Sequence, residues 1–99
     1  MRSLQVESAA AIGARLRLLR LAYGALQRRD KEMSQSEFAR LCEIGISAWN
    51  NAETGDNRIG IDNAKKVARR TGASLDFIYF GERAGLPHAL AVAIAALER

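Results

Sequence analysis

An all-α fold is predicted for this 99-residue chain by three observations. Apolar residues recur at helical spacing along most of its length, and start and stop signals bracket each such stretch. Runs of β-branched residues are absent, and proline occurs once. Apolar residues make up 48% of the chain and aromatic ones only 6%, so leucine, isoleucine and alanine must fill the interior. At this length one core is expected, and a second does not fit.

The first helix is predicted from Ala9 to about Gln27. Ile12, Leu16, Leu19 and Tyr23 recur at i, i+4, i+7 and i+11, and Leu18, Leu21 and Leu26 widen the stripe. Arg15, Arg17 and Arg20 occupy other faces. Ser8 suits the N-cap, and residues 1–8 read as a frayed lead-in. The first thirty residues share the Arg, Ser and Ala content of an organelle transit peptide, but their arginines are spaced to leave a core-facing stripe. Residues 28–32 (Arg-Arg-Asp-Lys-Glu) form a solvated last turn or loop.

A second helix opens at Ser34, with Glu37 at the capping-box spacing and Phe38, Ala39, Leu41 and Cys42 on its buried side. Glu43-Ile44-Gly45 breaks it, and residues 46–53 form a short third helix, followed by a loop at 54–57. A left-handed turn at Glu43 is costly for a residue other than glycine. Gly45 is therefore expected to absorb the turn, shifting the start of the third helix by a residue. The fourth helix runs over 61–71, with Asp62 in its first turn, Arg69 and Arg70 in its last, and Gly72 as its stop. Ser74 caps a fifth helix containing Leu75, Phe77, Ile78 and Phe80, ended by Gly81. Pro87 starts a sixth, to about Glu98. Its stripe of Leu86, Leu90, Ile94 and Leu97 either packs back onto its own domain or makes a two-fold contact with a second copy.

Net charge is +4, from 15 basic and 11 acidic residues, and its distribution is uneven. Residues 1–33 carry seven Arg or Lys against three acids, 34–58 two against four, and 59–81 four against two. Positive charge thus flanks the central segment, a balance compatible with nucleic acid. A single cysteine, Cys42, excludes an intrachain disulfide and a cysteine-based zinc site, and a single histidine, His88, cannot build a metal cluster alone. No metal or cofactor is expected. With no converging acid, base and nucleophile and no phosphate-cradling glycine loop after a strand, enzymatic activity is not expected either. The longest apolar run, residues 89–97, is mostly alanine and falls short of the roughly 20 residues needed to cross a bilayer. A reducing, cytoplasmic setting fits.

Two short helices joined by a tight turn, each with one apolar side, form a helix-turn-helix. The first helix lies across the phosphate backbone, and the second projects its outer face into a major groove about 12 Å wide. Ala39 is the small residue at the helix contact, Ile44 fills the turn, and Trp49 and Ala52 face inward. Ile46, Ser47, Asn50 and Asn51 are left on the outer face as candidates for base readout. An asparagine amide can bond an adenine edge in bidentate fashion. Arg58, just after the loop, is placed to meet a phosphate.

These segments resemble the Cro/CI-type (XRE-like) helix-turn-helix regulators. Residues 12–24 (IGARLRLLRLAYG) are similar to the first helix of that family, and residues 34–55 (SQSEFARLCEIGISAWNNAETG) match its core motif without a gap, down to the closing Glu53-x-Gly55. Residues 75–81 (LDFIYFG) are similar to its fifth helix. Where the family often has glycine and Ser or Thr, this chain has Glu43 and Gly45. About eight extra residues between Gly24 and Ser34 lengthen the first helix or its loop.

The resemblance implies a lambda-repressor-like five-helix DNA-binding domain over residues 1–81, with an additional link and helix at 82–99. It implies a bacterial or phage-encoded, nucleoid-associated regulator, a homodimeric repressor on a palindromic duplex operator. It places Ser47 and Asn51 at bases and Gln35 at the backbone or a flanking base. Ser34, Arg58 and Arg20 complete the expected backbone contacts. The third helix has no Arg or Lys, so affinity must come from flanking cations and helix N-termini, with DNA shape contributing. The rival reading is a helical protein-interaction module, antitoxin-like or an anti-regulator, that keeps the fold but binds a protein. RNA binding is disfavoured by the lack of an exposed aromatic platform.

Overall fold

The computed structural model describes residues 8–28 and 30–99, and the expected lead-in at 1–7 lies outside them. The described residues form six helices and no strand: α1 (Ala9–Leu26), α2 (Gln35–Cys42), α3 (Ile46–Thr54), α4 (Ile61–Thr71), α5 (Leu75–Phe80) and α6 (His88–Leu97). None of them is long and apolar enough to cross a membrane.

Three helices begin at serines whose hydroxyls accept a backbone N–H three residues on. Ser8 accepts from Ala11 at 3.1 Å, Ser34 from Glu37 at 3.1 Å and Ser74 from Phe77 at 3.0 Å. Each bond satisfies one of the amides a helix leaves unpaired at its start, worth about 1 kcal/mol. α1 is the central strut. Its Ile12, Leu16, Leu19 and Ala22 are fully buried, and α3, α5 and α6 pack around it. Tyr23, Phe38 and Trp49 form an aromatic chain from α1 through α2 to α3, with centroids 5.9 and 4.9 Å apart. Tyr79 of α5 donates its hydroxyl to the Ile59 carbonyl at 2.8 Å, tying α5 to the α3–α4 loop.

α6 takes the intramolecular position. Leu90 and Ile94 are buried in the same core as α1, which leaves Val92 on its outer side; Leu97, the last residue of α6, continues the inward stripe but is exposed at the helix end. The turn differs from expectation. Glu43 itself adopts the left-handed conformation (φ 61°, ψ 43°), whereas Gly45 is extended (φ −58°, ψ 138°), and α3 starts at Ile46 without a shift. The reason is packing. Ile44 is buried, its amide donates to the Ala39 carbonyl at 2.9 Å, and the chain can reach that arrangement only by reversing at Glu43. Lys66 donates to the Glu43 carbonyl (2.9 Å) and Arg70 to that of Leu41 (2.8 Å), so two cations of α4 hold the carboxyl end of α2.

Candidate nucleic-acid interface

α3 is fixed to the body of the molecule along one side by Trp49, Ala52 and Glu53. It approaches α1 very closely at Gly13, where an added Cβ would sit 2.5 Å from the Glu53 carbonyl oxygen and 2.7 Å from that of Ala52. Beside this contact Arg20 is buried at 8% exposure and grips Glu53 with two nitrogens: Nε donates to both carboxylate oxygens (3.2 and 3.0 Å), and Nη2 to Oε1 at 2.6 Å. Its Nη1 donates to the Met33 carbonyl at 2.6 Å. Arg20 therefore does not reach a DNA backbone, contrary to the expectation above; it locks α3 and the α1–α2 link to α1. The neighbouring glycines explain why. Gly13 and Gly24 lie seven residues before and four after Arg20, on one helix face, where both let other backbone come close enough to bury it.

The opposite side of α3 faces outward. Ile46 (45% exposed), Ser47, Ala48, Asn51 and Thr54 are all exposed. Asn51 stands on firm backbone, since its carbonyl accepts from the amides of Asp56 (2.9 Å) and Asn57 (3.2 Å) and from the Thr54 hydroxyl (3.3 Å). Asn50 sits differently. It is half-buried, and its Oδ1 is shielded from solvent without a hydrogen-bond partner among the described residues. Of the pair, Asn51 is the exposed one. Thr54, expected in the loop, is the last residue of α3; it follows Ser47 by seven residues and Asn51 by three, the spacing of one helix face. Asp56 Oδ2, at 3.1 Å, is the nearer of the two acceptors that share the single hydroxyl proton of Thr54.

The flanks supply the remaining expected residues. The Ser34 hydroxyl is occupied as an acceptor in its cap, and Gln35 follows it, half-buried, in the first turn of α2. Arg58 is exposed and lines a recess of about 120 Å³ with Trp49, Asn57, Gly60 and Asn63. α4 begins above this recess with no side-chain cap, because Gly60 holds the N-cap position. The Trp49 indole N–H is buried without a partner among the described residues, while its ring packs on Phe38. On the other side of the turn, Leu41, Cys42, Glu43, Lys66, Arg69 and Arg70 enclose a second recess of about 180 Å³. Burial pushes the Cys42 thiol up to about 11, partly offset by the Arg70 charge. Arg15, on α1, donates to the Ile78 carbonyl at 3.0 Å. No cluster of His, Cys, Asp and Glu suited to a metal ion occurs among the described residues.

The helix-turn-helix family model matches residues 25–78, just over half of the 99-residue chain, from the end of α1 through α2, α3 and α4 into α5. No curated protein and no solved structure matches.

Proposed function

Because the chain belongs to the XRE-type helix-turn-helix family of DNA-binding transcriptional regulators, we propose that it binds duplex DNA sequence-specifically, with α3 in the major groove. The observation that carries this is the outer side of α3. Ile46, Ser47 and Asn51 are exposed together on a helix whose other side is immobilised by Trp49, Ala52 and the buried Arg20–Glu53 pair. Preorganised side chains on a rigid element are what base-edge recognition needs. Asn50, half-buried with its Oδ1 covered, is assigned a marginal part in base readout. Ser34, Gln35 and Arg58 border α3 at the start of α2 and in the loop before α4, and they are assigned to the phosphates. The uncapped start of α4 adds free amides beside Arg58.

In this reading residues 1–81 form the DNA-binding unit and 82–99 an accessory link and helix. The protein acts as a cytoplasmic, nucleoid-associated repressor by occupying its operator as a homodimer, two copies of α3 reading the halves of a palindrome. Val92 on the outer side of α6 and Leu97 at its carboxyl end are exposed apolar residues assigned to the dimer contact. The test is selection of the purified protein on a random duplex library at two salt concentrations, with sequencing of the bound pool. An enriched palindrome is expected. Absence of enrichment, with binding that disappears at moderate salt, would overturn the proposal. The lack of any cation on α3 favours the protein-interaction module as second reading, and that outcome would support it.

A further inference from the structure

We infer that the base pairs lying under α3 are A·T pairs, with an adenine against Asn51 and a thymine methyl against Ile46. This rests on the major-groove reading above and specifies its substrate. Each base pair offers a distinct edge in the major groove. Guanine presents two acceptors, best met by Arg or Lys; adenine presents an acceptor beside a donor, matched by an Asn or Gln amide; thymine presents a methyl group, matched by an apolar side chain. The outer side of α3 carries Ile46, Ser47, Ala48, Asn51 and Thr54, with no guanidinium and no ammonium. A guanine beneath it would meet only single donors, the Asn51 amide and the Ser47 and Thr54 hydroxyls, and no guanidinium fork to span O6 and N7.

The two readers differ in quality. Asn51 is exposed, and the amides of Asp56 and Asn57 hold its carbonyl, so its side-chain amide can donate to adenine N7 while accepting from N6. Asn50 cannot do this with its Oδ1 buried, which leaves one bidentate amide per copy. Ile46 is an isoleucine held 45% exposed in the first turn of α3, beside Ser47 and Ala48. Against a thymine methyl it would be covered by apolar surface in place of water. The acids nearest this side, Glu43 and Asp56, sit in the turns before and after α3, and Asp56 Oδ2 already accepts from Thr54.

The experiment starts from the selected duplex and scans it with single-atom-group changes. Deoxyuridine replaces each thymidine in turn, removing only the methyl, and 7-deazaadenine replaces each adenine, removing only N7. One thymine per half-site should lose about fourfold in affinity on losing its methyl, the factor for about 0.8 kcal/mol at 1.4 kcal/mol per tenfold. Ile46→Ala should bind more weakly and be indifferent to that methyl. One adenine should be sensitive to loss of N7 in the wild type and insensitive in Asn51→Ala. Replacing either A·T pair by G·C should weaken binding at least about fivefold. A selected half-site whose central pairs are G·C, or uracil and 7-deazaadenine scans in which no position is silenced by either variant, would overturn the inference while leaving sequence-specific binding intact. A library with no enriched sequence would instead overturn the underlying function, and this inference with it.

Discussion

Arg20 and Glu53 show how one ion pair can govern where a helix sits. Both are buried, and every polar contact of Arg20 goes to Glu53 or the Met33 carbonyl. Removing one partner leaves the other charge uncompensated in a poorly solvated place. Arg20→Met should therefore destabilise the protein by about 3–5 kcal/mol in urea unfolding, with much of the loss recovered in the Arg20→Met, Glu53→Met double variant. A single-variant loss below about 1 kcal/mol would show that water reaches the pair. Glu43 makes the reverse case. A left-handed non-glycine residue costs about 1–2 kcal/mol, so Glu43→Gly should stabilise the fold by about 1 kcal/mol after the extra flexibility of unfolded glycine is counted. An unchanged denaturation midpoint would count against strain at this turn. Cys42 adds a pH dependence. Its folded thiol titrates near 11, above the ordinary 9.0, so the folded state holds that proton more tightly. Stability is intact below about pH 9 and is lost progressively as pH rises toward 11. Cys42→Ala should lack that part of the alkaline loss, and identical alkaline profiles would refute the assignment.

Among the elements, α6 resolves two alternatives open in the sequence in favour of packing on its own core. Leu90 and Ile94 are buried against α1, while Val92 is half-exposed on the other side. Leu90→Ala and Ile94→Ala should each cost about 2–5 kcal/mol, measured by chemical denaturation. Val92→Ala should stay within about 0.5 kcal/mol in dilute monomer. Should Leu90 and Ile94 prove as tolerant as Val92, α6 would not be docked on α1 in solution. The Arg83–Glu98 pair beyond it has two contacts of 2.7 Å, which raise the Arg83 pKa and lower that of Glu98. Both side chains remain largely in water, so this clasp adds less than about 1 kcal/mol. α3, by contrast, is held by shape as well as charge, because Gly13 admits its backbone where any side chain would collide.

At the scale of the whole molecule, charge and recognition are separated. α3 carries no Arg or Lys, and the net +4 lies in flanking segments. Two of those cations, Lys66 and Arg70, are already bonded to carbonyls at the end of α2, and Arg20 is internal. In the proposed complex the phosphate contacts come from cations outside α3, Arg58 among them. Arg58→Ala should weaken binding to all sequences alike and reduce the slope of log K against log salt by about one. A loss confined to one sequence would show instead that Arg58 reads a base.

The helices themselves were legible because their signals are local. Apolar spacing, the three capping serines and the glycines at 55, 72 and 81 act over one or two turns, and each element appears within a residue or so of where those signals place it. The outward position of Ile46, Ser47 and Asn51 followed from the same periodicity. What the sequence could not reveal depends on partners far along the chain. Arg20 looked like an exposed cation until Glu53, 33 residues away, was brought against it. Asn50 and Asn51 are chemically identical neighbours, and only the packing of α3 decides which amide is half-covered. The turn at Glu43 and the docking of α6 were likewise decided by burial, of Ile44 in the first case and of Leu90 and Ile94 in the second. Local hydrogen bonding and periodicity determine that a helix forms, whereas close packing between distant segments determines which of its faces meets the solvent, and so which residues are left to meet DNA.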